Sequence, residues 1–183
     1  MKIVKTVFFV KSEEAFALCP NCGSLLKYHC RVNRTLKNIE SIRNVYSIRI
    51  LKCNNERCPT IYHRELPDII IPLKRYDAES IEEAISQKHI KMTVAADEST
   101  IRRWRKWFEQ HQIYLMMALL SVVTTIETEA EASSLVKQEI NSNNPIKRIK
   151  EMVDRETKWL NETVRILVNS AKWIFNRSAF LSR

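Results

Sequence analysis

Glycine is almost missing from this chain: one residue in 183, where average usage is about 7%. That scarcity argues against a glycine-rich phosphate loop, a dinucleotide fingerprint and a many-turned barrel, since each needs residues free to take positive φ. Long helices are the natural use of such a chain. Long apolar runs are lacking too. The most extended, residues 113–123, is shorter than the roughly 20 residues that span a bilayer, so a buried helix is expected there and no membrane association. A secretory signal is also missing. The opening MKIVKTVFFVKSEE has lysines interrupting a short apolar run and no small-residue cleavage site. Residues 3–10 read instead as a strand.

The chain does hold cysteine and positive charge. Five cysteines, an odd count with two close pairs, suit a reducing compartment and a bound metal better than an oxidised extracellular framework. A cytoplasmic, nucleoid-associated protein is expected. The formal charge of +9 is uneven. Residues 19–66 carry nine Lys or Arg (27, 31, 34, 37, 43, 49, 52, 57, 64) against three Glu (40, 56, 65), and so supply two thirds of that charge. Polyanion binding is expected to involve this cysteine region, with Arg31, Arg34 and Arg57 on phosphates.

CPNC at 19–22 and CNNERC at 53–58 are separated by a 30-residue insertion. Four thiolates can surround Zn²⁺ tetrahedrally, with each pair folded into a knuckle, and the four-residue gap between Cys53 and Cys58 is within the range such sites use. The predicted ligands are Cys19, Cys22, Cys53 and Cys58. Strand material lies between the pairs, including VYSIRIL at 45–51, where Tyr46, Ile48 and Ile50 alternate with Ser47 and Arg49. The expected product is a zinc-ribbon hairpin. Cys30, His29 and His63 have the chemistry of substitute ligands, but packing and hydrogen bonding are the expectation for all three.

After PLKRYD the pattern turns helical. Ser80 is predicted to cap a helix with Glu83 closing the box, a second short helix is predicted after Thr93 through Val94, Ala95 and Ala96, and Ser99 is predicted to cap a third from Thr100 onward. Three helices with short joints have the order of a helix-turn-helix. On the third, Ile101, Trp104 and Phe108 share an apolar face, while Ser99, Arg102, Arg103 and Lys106 point broadly away from it. Such a helix can bury its aromatic side and offer cations to the major groove of double-stranded DNA. Pro67 and Pro72 bracket Ile69, Ile70 and Ile71, an apolar tether between the two modules.

These pieces resemble an uncharacterised family of small bacterial proteins often found near mobile elements, similar to the zinc-ribbon and helix-turn-helix front ends of transposases. The resemblance rests on CPNC at 19–22, RILKCNNERC at 49–58, HRELPDIIIPLKRYD at 63–77 and STIRRWRKWF at 99–108. It implies a zinc ribbon coupled to a DNA-binding module, with Cys19, Cys22, Cys53 and Cys58 as ligands and the helix around Arg103 as reader.

The remaining sequence is written by packing. Residues 131–140 are a helical candidate, residues 141–144 break it, and Pro145 begins the next helix at a favourable first-turn position. From there Ile149, Val153, Leu160, Val164, Leu167, Ala171 and Ile174 recur at helical steps. These helices could cover the DNA-binding core, self-associate or hold a protein partner, with Trp159, Trp173 and Phe175 as aromatic area. Catalysis is not expected. Glu127, Glu129 and Glu131, or Glu151 with Asp154, lack an accompanying base and a strand framework, which leaves a metal-dependent nuclease or recombinase fragment as a weak alternative. The expected fold is α+β: an N-terminal strand and zinc ribbon over 1–75, a helix-turn-helix over 76–110, and a helical packing or oligomerisation region over 111–183. The expected function is that of a duplex DNA-binding accessory or regulatory protein. A zinc-stabilised protein-interaction adaptor is the runner-up.

Overall fold

Alternation of β-branched and polar residues does build strands in the basic region. A computed structural model of the chain describes residues 7–10, 17–86, 93–123, 144–170, 172 and 179–181. Among these, β1 (Val7–Phe9), β2 (Ala17–Leu18), β3 (Leu25–Lys37), β4 (Arg43–Cys53), β5 (Tyr62–Leu66) and β6 (Ala179–Leu181) form one sheet. The strand expected over residues 3–10 is described only as β1. A long antiparallel hairpin of β3 and β4 is its spine. The other edge of β4 is shared: β1 runs parallel beside Val45 to Ser47, and β5 runs antiparallel beside Ile50 to Lys52.

The hairpin contains one register shift. Leu26 pairs with Cys53 and Tyr28 with Leu51, but Cys30 pairs with Ile50 and Leu36 with Asn44, so His29 is one extra residue in β3. Side chains alternate strictly along a strand, and an added residue exchanges the two faces beyond it. Leu26 and Leu36, ten positions apart, would otherwise share a face. Instead Leu26 joins a small cluster with Ala17, Leu51 and three buried cysteines, while Leu36 joins Ile48, Leu66 and the helices in the main core.

The helical region comprises α1 (Ala78–Ser86), α2 (Glu98–Val123), α3 (Pro145–Met152) and α4 (Trp159–Asn169) among the described residues. Two expected caps are corrected. The Asp77 carboxylate accepts the Ser80 N–H at 3.0 Å and the Ser80 hydroxyl, and Asp97 does the same for the Thr100 N–H at 2.9 Å and its hydroxyl at 2.8 Å. Asp77 and Asp97 therefore stand at the caps in place of Ser80 and Ser99, so α1 begins three residues earlier than a Ser80 cap would place it and α2 two residues earlier than a Ser99 cap would. Hydrogen bonds from Ser99 and Thr100 hold the Asp97 carboxyl down to about 2. Glu83 turns to the Thr93 N–H and hydroxyl, both at 2.7 Å.

The short helix expected through Val94, Ala95 and Ala96 is also corrected, because residues 93–97 are not helical. Tertiary bonding outcompetes local propensity there: Ala95 N–H donates to the Ile39 carbonyl at 2.7 Å, and Val94 is buried in the main core. Helix α2 runs on through the apolar passage. Leu115, Met116, Leu119 and Leu120 are buried, whereas Ile113, Tyr114 and Met117 are exposed, so the passage is buried on one side rather than several. Asn144 caps α3 by accepting the Lys147 N–H at 3.1 Å, with Pro145 in the first turn. Residues 124–143 lie outside the described residues, and with them the helix expected at 131–140 and Glu127, Glu129 and Glu131. Ala171, Trp173, Ile174 and Phe175 lie outside them too.

The main core draws on sheet, tether and helices alike. Ile70 and Ile71 of the tether, Ile81, Trp104, Leu119, Ile149, Leu160, Val164 and Leu167 are buried with Leu36 and Ile48, and fully burying each of the larger apolar side chains contributes about 1.5–3 kcal/mol relative to exposure. Trp159 corrects the expectation of surface aromatic area. It is fully buried, meets Phe108 edge-on at 5.7 Å, and donates its indole N–H to the Ser86 hydroxyl at 3.3 Å. No helix among the described residues is long and apolar enough to cross a membrane.

A carboxylate of α1 caps α4. Lys158 precedes α4 in a left-handed conformation, φ 59°, and its own side chain makes no cap. The orphan N–H groups of Lys158 and Leu160 instead donate to the two oxygens of Glu82 at 2.8 and 2.9 Å. Glu82→Ala is expected to lower stability by about 1–2 kcal/mol, the usual cost of losing a cap. Urea unfolding checks this, and an unchanged midpoint would show the contact to be dispensable.

Candidate metal centre and cationic helix face

The four cysteines meet at one end of the sheet, where the end of β2 and the end of β4 flank the start of β3. Cys19 follows β2 and Cys22 stands in the turn after it. The chain's one glycine, Gly23, completes that knuckle with φ +71° and donates its N–H to the Cys19 carbonyl at 2.8 Å. Nothing would meet a Cβ there, so the backbone conformation and not lack of space explains why glycine is kept at this position. Cys53 is the last residue of β4. Cys58 sits in the following turn, its N–H donating to the Asn55 carbonyl at 3.1 Å while the Asn55 N–H points to the Cys53 sulfur at 3.4 Å.

All four Sγ atoms lie within 4.8 Å of one another. Cys19 and Cys58 sulfurs are 3.7 Å apart, Cys22 and Cys53 sulfurs 3.5 Å. Tetrahedral zinc with bonds near 2.3 Å requires about 3.8 Å between sulfurs, so the set fits a Zn²⁺ ion with small adjustments. The environments differ: burial pushes the Cys19 thiol up to about 12, while hydrogen bonds from Ser24 hold the exposed Cys22 down to about 6. Cys53 is also raised by burial. A coordinating thiol is deprotonated by the ion itself, whatever its pKa in the metal-free cluster. Four protein thiolates would fill the coordination sphere and leave no position for an activated water. The cluster is therefore a candidate structural zinc site. Among the described residues no other group of three or more metal-binding side chains gathers in this way.

Fully buried His63 stands beside it. Its Nε2 is 2.9 Å from the Thr60 carbonyl and 3.4 Å from the Cys19 sulfur. A carbonyl can only accept, so Nε2 carries the proton and donates, and the ring is a hydrogen-bonding neighbour of the sulfurs rather than a free ligand. Burial holds the imidazole below its ordinary pKa. Cys30 pairs with Ile50 on the opposite face of β4 from Cys53, which removes it from the cluster. His29 is exposed at the register shift, 5.0 Å from the Tyr62 ring.

The residues expected to touch DNA fall into two groups. On α2, Ile101, Trp104 and Phe108 are buried, and Ser99, Arg102, Arg103 and Lys106 are exposed. Arg102 pairs with Glu98 at 3.1 Å, and Arg103 donates to the Ser99 carbonyl at 3.2 Å and the Thr100 hydroxyl at 3.0 Å. Arg105 reaches the Ala84 carbonyl at 2.8 Å and ties α2 to α1. Trp107 is buried under Lys74, whose ammonium lies 4.1 Å from its ring centre. In the turn after β4, Arg57 is exposed, but on β3 Arg31 donates to the Ser47 carbonyl at 2.7 Å and Arg34 to the Lys74 carbonyl at 2.8 Å. Position in the basic region does not distinguish these three arginines. Their carbonyl partners, contributed by distant chain segments, do.

Of the acidic residues weighed for metal-ion catalysis, Glu151 pairs with Arg148 at 2.9 Å, and Asp154 is exposed beyond α3. No curated protein matches the chain, and no solved structure does. Residues 19–104 are similar to the family described as Domain of unknown function (DUF6431), a match that begins at the first of the four cysteines and ends at Trp104 on the buried face of α2.

Proposed function

We propose that this chain is a zinc-containing duplex DNA-binding protein acting as an accessory or regulatory factor, with α1 and α2 as its helix-turn-helix. The observation that carries the reading is the division of α2, whose aromatic face is buried in the core while Arg102, Arg103 and Lys106 face solvent. A helix fixed by its apolar side can present its cations without reorganising. The zinc is structural in this reading, holding the basic β3–β4 hairpin in place, and no catalytic step is assigned. The resemblance to transposase front ends agrees with it, and the reading places the protein at the nucleoid.

Arg103 is the base-reading residue, with Ser99 beside it and Lys106 on a phosphate. The acceptors it uses in the free chain, a carbonyl and a hydroxyl of its own first turn, are ones that guanine O6 and N7 can replace. Arg57 is placed to meet phosphate directly, whereas Arg31 and Arg34 do so only with donors left after their carbonyl contacts.

Site selection followed by binding at one fixed salt concentration tests the reading. Arg103→Ala should cost about 1–3 kcal/mol on the selected duplex and less on a scrambled one. Equal losses would make Arg103 a backbone contact. No loss on either would favour a second reading, a protein-interaction adaptor, to which exposed Ile113 and Met117, one turn apart on α2, already point.

A further inference from the structure

A cavity of about 390 Å³ opens on the face of the sheet opposite the cysteines, between β3 and the turn that follows the tether. Arg34, Arg64, Lys74 and Arg75 line it, and no carboxylate does. The walls are built rather than incidental. Half-buried Arg34 uses Nη2 to bridge the carbonyls of Ile71 at 3.4 Å and Lys74 at 2.8 Å. It thereby fastens a turn in which Leu73 holds the left-handed conformation, φ 67°, a costly state for a branched side chain. The Nε and Nη1 groups of Arg34 have no acceptor among the described residues. Lys74 is pinned over Trp107, and the N–H of Lys37 bonds the Arg75 carbonyl at 2.9 Å, so the backbone that carries both cations is fixed to β3.

Like charges gathered without a counter-ion are unfavourable, and they are more so when water is partly excluded. Burial pulls the Lys74 ammonium down to about 8, and burial together with the nearby Arg64 charge lowers Arg34 as well. A bound dianion would reverse both costs. Guanidinium forks match phosphoryl oxygens in spacing and direction, and Lys adds a point charge.

We propose that this cavity is a phosphate-binding site, in which Arg34, Arg64, Lys74 and Arg75 surround one phosphoryl group. The site is separate from the exposed face of α2 and does not require that Arg103 read bases. The phosphoryl group can come from a nucleic-acid backbone or from a free phosphate or phosphomonoester.

The test is a titration of the zinc-loaded full chain with inorganic phosphate at constant ionic strength, chloride being the reference anion, followed by NMR at the amides of 32–35 and 73–75 and at the Arg34 Nε–H. Saturable shifts confined to those groups are expected. Arg64→Ala and Arg75→Ala, both at exposed positions, should each weaken binding about tenfold or more, while Lys147→Ala on distant α3 leaves it unchanged. Spectra that match the parent outside the cavity confirm that a variant is folded. Shifts that do not saturate, that chloride reproduces, or that Lys147→Ala weakens equally would overturn the proposal. A short duplex that displaces phosphate from these amides identifies the nucleic-acid backbone as the source. Retention of phosphate beside saturating duplex identifies a free phosphoryl ligand. Loss of duplex binding in Arg103→Ala with phosphate binding intact separates this site from the α2 reading.

Discussion

Replacing Cys53 by Ser is expected to abolish metal retention and to unfold the cysteine end of the sheet. The parent should purify with one zinc per chain. The reason is one of size: among the described residues, the cluster around the sulfurs contains, apart from three buried cysteines, only Ala17, Leu26 and Leu51. Burying two leucines and an alanine stabilises by a few kcal/mol, at about 1.5–3 for each leucine, whereas fixing each residue of the two knuckles costs about 1–2 kcal/mol of backbone entropy. Apolar burial alone loses that comparison. Structural zinc supplies about 10–16 kcal/mol of apparent binding free energy in small zinc modules, enough to reverse it. Elemental analysis of gently purified, reduced protein checks the stoichiometry, and amide exchange across 17–28 and 51–63 reads the folding. A metal-free parent, or a Cys53→Ser variant with parent-like protection there, would end the structural-zinc interpretation.

Breaking the ion pair of Arg49 and Glu65 should produce the other large effect. These residues lie on the cysteine face of the sheet, on adjacent strands, with the Glu65 side chain fully buried and that of Arg49 17% exposed. The guanidinium donates to both carboxylate oxygens, Nη2 to Oε1 at 2.5 Å. Arg49 is held above its ordinary pKa chiefly by that contact. Glu65→Ala leaves the cation buried without its partner, and about 3–5 kcal/mol of stability should be lost. Removing both charges together, as Arg49→Met with Glu65→Leu, should restore most of it, because a well-packed apolar pair avoids desolvating either ion. Urea midpoints of the zinc-loaded proteins decide the matter. A loss below about 1 kcal/mol for Glu65→Ala would show that water reaches Arg49 and that the pair behaves as a surface bridge.

Particular residues show what the sequence could and could not tell. The four cysteines were legible because metal-ligand spacing is a local property, and the buried face of Ile101, Trp104 and Phe108 because helical periodicity is local too. Residues 77–80 and 97–100 each contain both an Asp and hydroxyl residues able to cap, so the sequence alone left the register open; Ser80 is buried and bonded back to Asp77, a choice fixed by the fold. Periodicity identified Val94 to Ala96 as helix, but a backbone bond to Ile39 in the hairpin loop decided otherwise. Trp159 looked like interface area because a lone sequence cannot say which side of an amphipathic helix meets Phe108. Of the cavity's members only Arg34 was expected on phosphate; Arg64, Lys74 and Arg75 gave no sign of joining it, since the four are scattered over 42 positions and brought together by the pairing of β3, β4 and β5 and by the bonds of Arg34 and Lys37 to the turn at 73–75.

The extra residue at His29 has a consequence for how this chain can change in length. The hairpin loop at 38–42 is held to the core by Ile39, but next to exposed Glu40 and Ile42 it can gain residues at small entropic cost. Strand β3 has no such freedom between Leu26 and Leu36. Deleting any one residue there to restore regular pairing would carry one of those leucines to the wrong side, starving either the sulfur cluster or the helical core, and a second insertion would do the same from the other direction. The parity of a residue count, odd or even, thus becomes a heritable requirement of this hairpin, independent of which amino acids fill it.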